Sequence, residues 1–218
     1  MSTKLLANTD AERPGSGRPT RAQQTQRQEE LLNVALDVFL EMGFERTTME
    51  EIAAQVGMSK RTIYARYEDK AALFKASVRR AVERFTMPRE TLEAVVTDNL
   101  EQTLAAIARL RIVNSATPIA IKLQRILSAQ SYRFPELFTI AIDEGTGPTL
   151  DLLCSLFERH SASGEIHVTE PRRAATAFLS LAVSGSARLV VAGKTLDKAE
   201  VEKRISFGVG LFLNGVRR

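Results

Sequence analysis

The residues best placed to do chemistry lie in one short run, SKRTIYARYEDK from Ser59 to Lys70. It holds four cations, Lys60, Arg61, Arg66 and Lys70, while its only acids, Glu68 and Asp69, come at the end. Guanidinium forks match guanine edges and phosphates, and hydroxyls such as those of Ser59, Thr62 and Tyr64 match phosphate or base contacts. At helical spacing Ile63 and Tyr67 fall on one side and hold the run to a neighbour. Lys60, Arg61, Thr62, Tyr64, Ala65 and Arg66 are left around the free face. The first residues of a helix presented this way reach deepest into the major groove of duplex DNA. A solvated surface hairpin shows similar residues, so the run alone does not decide between the two.

The segments around it must supply that presentation. Thr48 followed by Glu51 is a capping box, which predicts a helix from Met49. Met49, Ile52, Ala53 and Val56 give that helix one apolar face. Gly57 suits a sharp turn, Ser59 caps the next helix and Asp69 the one after it. Upstream, from about Gln24, Leu31, Leu32, Ala35, Leu36, Val38, Phe39 and Met42 make a supporting apolar stripe. Gly43 ends that stripe, and Phe44 plugs the core after the turn. Downstream, Leu73, Phe74, Ser77, Val78, Ala81, Val82 and Phe85 carry a helix to Pro88 and out of the head. Arg79, Arg80 and Arg84 lie on it as a solvated basic face, with long-range attraction to DNA as the alternative.

From about Arg27 to Phe74 the string resembles the DNA-binding domain of the TetR family of transcriptional regulators. The resemblance is carried by Gly43, Phe44, Thr47, Thr48, Ile52, Ala53, Gly57, Ser59, Thr62, Ile63, Tyr64, Tyr67, Lys70 and Leu73. It implies a helix-turn-helix domain over residues 23–70 and a helical effector-binding and dimerisation domain over 71–218. Its partners would be a palindromic double-stranded DNA operator, a small-molecule effector and a second copy of the chain. Lys60, Arg61, Thr62 and Arg66 would meet base edges, and Thr47, Thr48, Tyr64 and Lys70 would anchor phosphates, with Ser59 in the same contact set. Arg61 replaces a smaller residue common in the family and would alter the sequence read. The body resembles the family less securely, at Arg133–Leu137 and Gly164–Ile166, and carries no effector identity with it.

Residues 1–22, punctuated by Pro14, Gly15, Gly17 and Pro19, predict a flexible basic arm. Within it Arg18 and Arg21 are candidates for the minor groove, against the alternative of a solvated tail. In the body, Leu92 to Leu110 predicts one long helix ending before Pro118, followed by Ile119 to Ser128. A helix opened by Pro135 is expected to break over Gly145–Pro148 and resume at Leu150. Pro171 to about Ala192 is apolar almost all round, and Val201, Ile205, Gly208, Val209 and Phe212 form a second such face. The two predict a homodimer interface, a four-helix bundle by the family's pattern, with an intrachain pair as the alternative. Phe134, Phe138, Gln124, Gln130, Asn114, Tyr132 and Glu144 are candidate walls and anchors of a ligand cavity.

Composition bounds the rest. The 218 residues, 44% hydrophobic and 6% aromatic, can bury a full core, and the scarcity of alternating β-branched runs predicts an all-α protein. The net charge of +4 and pI of 9.4 are compatible with a polyanionic partner. Cys154, the single cysteine, falls at core spacing, and a chain with one thiol forms no internal disulfide. His160 and His167 read as surface residues without a third ligand. No nucleotide-binding, zincin or nucleophile-triad pattern occurs, so neither catalysis nor a cofactor or metal is expected. No span approaches eighteen uninterrupted apolar residues, and the expected location is the cytoplasm, with no membrane partner. The nearer rival is an activator or effector-independent regulator of the same fold; the more distant is a helical enzyme or ligand carrier.

Overall fold

The computed structural model describes residues 20–217, which form eleven α-helices and a π-helical turn, with no strand among the described residues. The first helix, α1 (Arg21–Met42), opens on a reciprocal cap: Gln23 N donates to Thr20 Oγ1 at 3.2 Å, and Thr20 N donates to the Gln23 side chain at 2.9 Å. This box starts the helix earlier than the apolar stripe indicates. Arg21 is therefore its first helical residue, not part of an extended arm. Arg18 lies outside the described residues.

Gly43, at φ 80°, ends α1, and α2 (Met49–Val56) follows its Thr48 capping box. Gly57 takes the left-handed conformation, φ 66°, that an L side chain rarely adopts, and leads into α3 (Lys60–Tyr64). Asp69 caps α4 (Lys70–Phe85) through Ala72 N at 2.7 Å.

The expected long helix from Leu92 is two. α5 (Arg89–Glu93) stops, and α6 (Leu100–Ser115) starts afresh at Asn99, whose Oδ1 accepts from Gln102 N at 2.9 Å. A cap inside an apolar pattern outweighs the periodicity around it. α6 meets α7 (Pro118–Gln130) at a 78° bend.

The expected break over residues 145–148 is absent: α8 runs unbroken over Pro135–Ala162 with Pro148 inside it. Proline removes the N–H that Glu144 O would accept, and that carbonyl instead lies 3.2 Å from Thr86 Oγ1 at the end of α4, sharing its one proton with Val82 O at 2.8 Å. The next carbonyl, Gly145 O, accepts from Arg111 Nη1 of α6 at 3.2 Å. Two neighbouring helices thus satisfy what the proline disturbs.

The chain closes with α9 (Pro171–Leu179), a π-helical turn (Ser180–Ser184), α10 (Gly185–Val191) and α11 (Lys198–Val216). Gly208 of α11 packs directly on the turn. A Cβ at Gly208 would stand 2.8 Å from Ala182 Cα, so the crossing requires glycine.

Two apolar clusters hold these helices. In the first, Phe39, Phe44 and Phe74 of the head meet Phe134 from the α7–α8 turn, 5.1 Å from Phe44 and 5.3 Å from Phe74 between ring centroids. The head is therefore sealed by a residue of the body. The second joins Leu104, Ile107, Leu153, Phe157, Phe178 and Phe212. His160, expected at the surface, is buried against it, with Nδ1 2.5 Å from Glu165 Oε2.

Candidate nucleic-acid interface and the cavity behind it

α3 owes its orientation to Ile63, fully buried against the head, and to the turn beyond it, where Tyr67 is buried and its hydroxyl stands 3.5 Å from Gln28 Nε2 of α1. Lys60, Arg61, Thr62, Tyr64 and Arg66 are all exposed on the opposite side. The side chains of Arg61 and Arg66 make no hydrogen bond or ion pair with the described residues, so both forks are available to a partner. Lys60 forms an ion pair with Glu50 of α2, which lowers the Glu50 pKa. Both groups are more than half exposed, so the pair is cheap to exchange for a phosphate.

The hydroxyls serve mainly as local scaffolding. Ser59 Oγ accepts from Thr62 N at 3.1 Å and lies 2.8 Å from Thr62 Oγ1. Thr48 Oγ1 caps α2 through Glu51 N and donates to Glu51 Oε2 at 2.9 Å. Thr47 is a correction: its side chain is fully buried and donates to Gly43 O at 2.8 Å, which withdraws its hydroxyl from any phosphate. Lys70 also has internal work, donating to Glu45 O at 3.0 Å and Thr47 O at 2.8 Å while lying 4.7 Å over the Phe44 ring. It clamps the α1–α2 loop, with one donor left.

Arg21, expected on the arm, instead lines a depression with Arg66, beside Gln24, Thr25, Gln28 and Tyr67. Two arginines converge there on the edge of the α3 face. The α4 arginines are struts: Arg79 pairs with Glu144 at 2.8 Å, Arg80 with Glu29 at 2.7 Å, and Arg84 donates to Asn33 at 2.7 Å.

Behind the head, α4, α6, α7, α8 and the α9–α10 run enclose a cavity of about 560 Å³. Val82, Phe85, Leu123, Leu127, Leu179 and Val183 make it largely apolar. Of the candidate ligand residues, Asn114, Gln124 and Phe138 line it. Phe134 is instead in the head core, Tyr132 is fully exposed, Gln130 lies off the cavity, and Glu144 holds Arg79. Sequence reasoning missed Arg111 and Arg188, which among the described residues contribute the only charges in the lining. Their neighbours four residues away, Ile107 and Ser115 for Arg111 and Ser184 and Ala192 for Arg188, give no local sign of a cavity, which forms only where α6 and α7 meet at the 78° bend and α10 packs beside them.

Among the described residues no group of three or more His, Cys, Asp or Glu could hold a metal ion. Cys154 is half-buried, and burial raises its pKa. The segment Pro171–Val191 is long and apolar enough to cross a membrane by length and composition, and 33% of its most apolar stretch is buried within the chain. Leu181 on it, with Phe207 and Leu211 of α11, is half-exposed or more.

Comparison with known proteins places these features in a family. A family described as bacterial regulatory proteins, tetR family, matches residues 31–77, and the C-terminal domain of AefR-like transcriptional repressors matches residues 102–215, over half the chain. The transcriptional activator FasR of Mycolicibacterium smegmatis is 33% identical over 109 residues, covering 47% of this chain and 49% of that protein. The transcriptional repressor BepR of Brucella suis biovar 1 is 35% identical over 95 residues, 41% of this chain and 44% of that protein. The chain thus spans about half the length of the curated relatives it matches. Among solved structures, a TetR-family regulator from Mesorhizobium loti MAFF303099 aligns with TM-score 0.75 at 25% identity, over 92% of this chain and 100% of that one. The flavonoid-responsive regulator FrrA aligns with TM-score 0.69 at 27% identity, over 88% and 98%. With a helix-turn-helix head at one end and a matching helical body over most of the remainder, the chain belongs to the TetR family of transcriptional regulators.

Proposed function

We propose that this protein is a transcriptional repressor, not an enzyme, that binds a palindromic operator as a homodimer in the cytoplasm and leaves it when a small molecule fills the cavity behind the head. The observation that carries the reading is the exposed, unpaired forks of Arg61 on α3 and Arg66 in the turn after it, on the side opposite the buried Ile63 and Tyr67. Arg61, Thr62 and Lys60 lie nearest the start of α3 and read base edges, with Arg66 behind them. Arg66 and Arg21 also line one depression beside that face, while Thr48, Ser59, Tyr64 and the remaining donor of Lys70 supply weaker backbone contacts. Two such helices fit successive major grooves when the half-site centres lie about 34–36 Å apart.

The second copy covers Leu181, Phe207 and Leu211, the apolar face that the chain leaves open along α9–α11. The sign of regulation rests on the repressor-type body; FasR, named an activator, keeps activation as the second reading. FrrA, named flavonoid-responsive, supports an organic effector of drug-like size for a cavity of this volume.

Fluorescence anisotropy with the chain's own upstream DNA, against a scrambled duplex at two salt concentrations, tests the reading. Specific binding that falls by orders of magnitude between about 50 and 200 mM salt is expected. Arg61→Ala relaxes preference at one half-site position by about 1–3 kcal/mol. Salt-independent binding, or none to any duplex, removes the nucleic-acid function.

A further inference from the structure

Resting on the reading of the cavity as an effector site, we propose that the effector is an amphipathic anion, a carboxylate on an apolar body, and that the Arg111 guanidinium is its binding group. The arginines of this chain divide sharply. Arg109, two residues earlier on α6, faces outward and has a bidentate carboxylate, Glu202, at 2.6 Å through both Nε and Nη2. Arg111 faces the cavity, half-buried, and has no acid: it donates only to Gly145 O and Thr146 Oγ1, both at 3.2 Å. A guanidinium carries five N–H donors, so three remain for a ligand. Burial lowers the Arg111 pKa, whereas the Glu202 contact raises that of Arg109.

The lining reinforces the asymmetry. Among the described residues it contains two arginines, Arg111 and Arg188, and no acid, with Gln124 and Asn114 as the amides, four hydroxyls at Ser115, Ser128, Thr146 and Ser184, and otherwise mostly apolar side chains. A positively charged, largely apolar chamber with an unmatched fork selects an anion that brings its own hydrophobic body. A planar carboxylate meets the fork with two parallel bonds.

The same contacts give the ligand a route to the head. Gly145 and Thr146 sit in the turn before Pro148, and the neighbouring Glu144 is tied to α4 twice, by its carbonyl to Thr86 and by its carboxylate to Arg79. Asn114 Nδ2 adds a bond from α6 to Phe85 O, the last residue of α4, at 3.3 Å. A carboxylate that draws the Arg111 fork away from α8 frees the turn to which α4 is fastened.

The test is calorimetric titration of the full chain with matched pairs: decanoate and decanamide, 3-phenylpropionate and its amide, 1-naphthylacetate and its amide. The expected result is that the acid of at least one pair binds about tenfold or more tighter than its amide. Arg111→Met abolishes that preference while lowering the melting temperature through its lost bonds to Gly145 and Thr146, and Arg188→Gln keeps the preference. Arg111→Lys, which retains charge without the fork, weakens the preference and serves if the methionine variant does not fold. Equal binding of acid and amide, no binding of any pair, or a preference that disappears with Arg188 alone overturns the proposal. Operator anisotropy on the same samples separates the two readings. Acid preference with unmoved operator affinity leaves the anion site standing and sinks the effector role of the cavity.

Discussion

The Phe134 ring ties body to head, and replacing it gives a quantitative test of that tie. Phe134 is buried, T-shaped to Phe44 at 5.1 Å and tilted to Phe74 at 5.3 Å. Each ring pair contributes about 0.5–1.5 kcal/mol beyond area burial, so Phe134→Leu, which keeps most of the apolar bulk, removes about 1–3 kcal/mol. For a chain of this size 1 kcal/mol moves Tm by about 2–4 °C, so a drop of about 2–12 °C is expected. Arg133, 4.7 Å over Phe44 and ion-paired with Glu45, sits on the same contact and would loosen with it. Thermal and urea unfolding measure the loss, and operator anisotropy with and without a bound acid measures coupling. Because α3 itself is untouched, affinity for the operator should hold while the ligand-induced change shrinks. Tm unchanged within about 1 °C would refute the ring contacts as a load on stability. Full ligand response in a destabilised variant would refute the tie as the transmission path.

Other perturbations probe the body. Gly208→Ala places a methyl group 2.8 Å from Ala182 Cα, a backbone atom with no rotamer to escape into, and should cost about 1–3 kcal/mol by overpacking, read from urea unfolding. Phe207→Asp, at a residue 74% exposed, should leave the folded monomer intact and shift sedimentation from dimer to monomer. The Arg109 contact holds the Glu202 pKa below the ordinary carboxylate value, so its contribution is present above the unfolded pKa and lost as pH falls through the folded one. The stability difference between wild type and Glu202→Gln, read from urea unfolding, should therefore be at most about 1 kcal/mol at neutral pH for so exposed a pair, and close below about pH 4.

What the sequence disclosed and what it hid follow from how far each signal reaches. The α2–α3 unit is legible because its determinants are local: Thr48 with Glu51, Gly57, Ser59 and Asp69 act within three or four residues. The start of α1 is equally local, in Thr20 with Gln23, although the prolines just upstream suggest an extended arm. Pro148 is the opposite case. Its effect on α8 is cancelled by Thr86 and Arg111, 62 and 37 positions away, which no periodicity displays. Phe134 and Tyr132 look alike as cavity walls, yet the α7–α8 turn sends one into the head and the other into solvent. A cavity made where several helices meet is a property of their angles, and those are set by packing.

Pro148 leaves α8 one rung short, and the spare carbonyl is held by the final turn of a different helix. Pro148→Ala would restore the N–H, return Glu144 O to its own helix and evict Thr86. An engineer seeking a more heat-resistant protein would find that substitution attractive, since it mends a ladder. The mended rod would keep its ion pairs to α4, Arg79 with Glu144 and Lys75 with Glu136, but lose the backbone hinge between them, and its firmness would come at the expense of that joint.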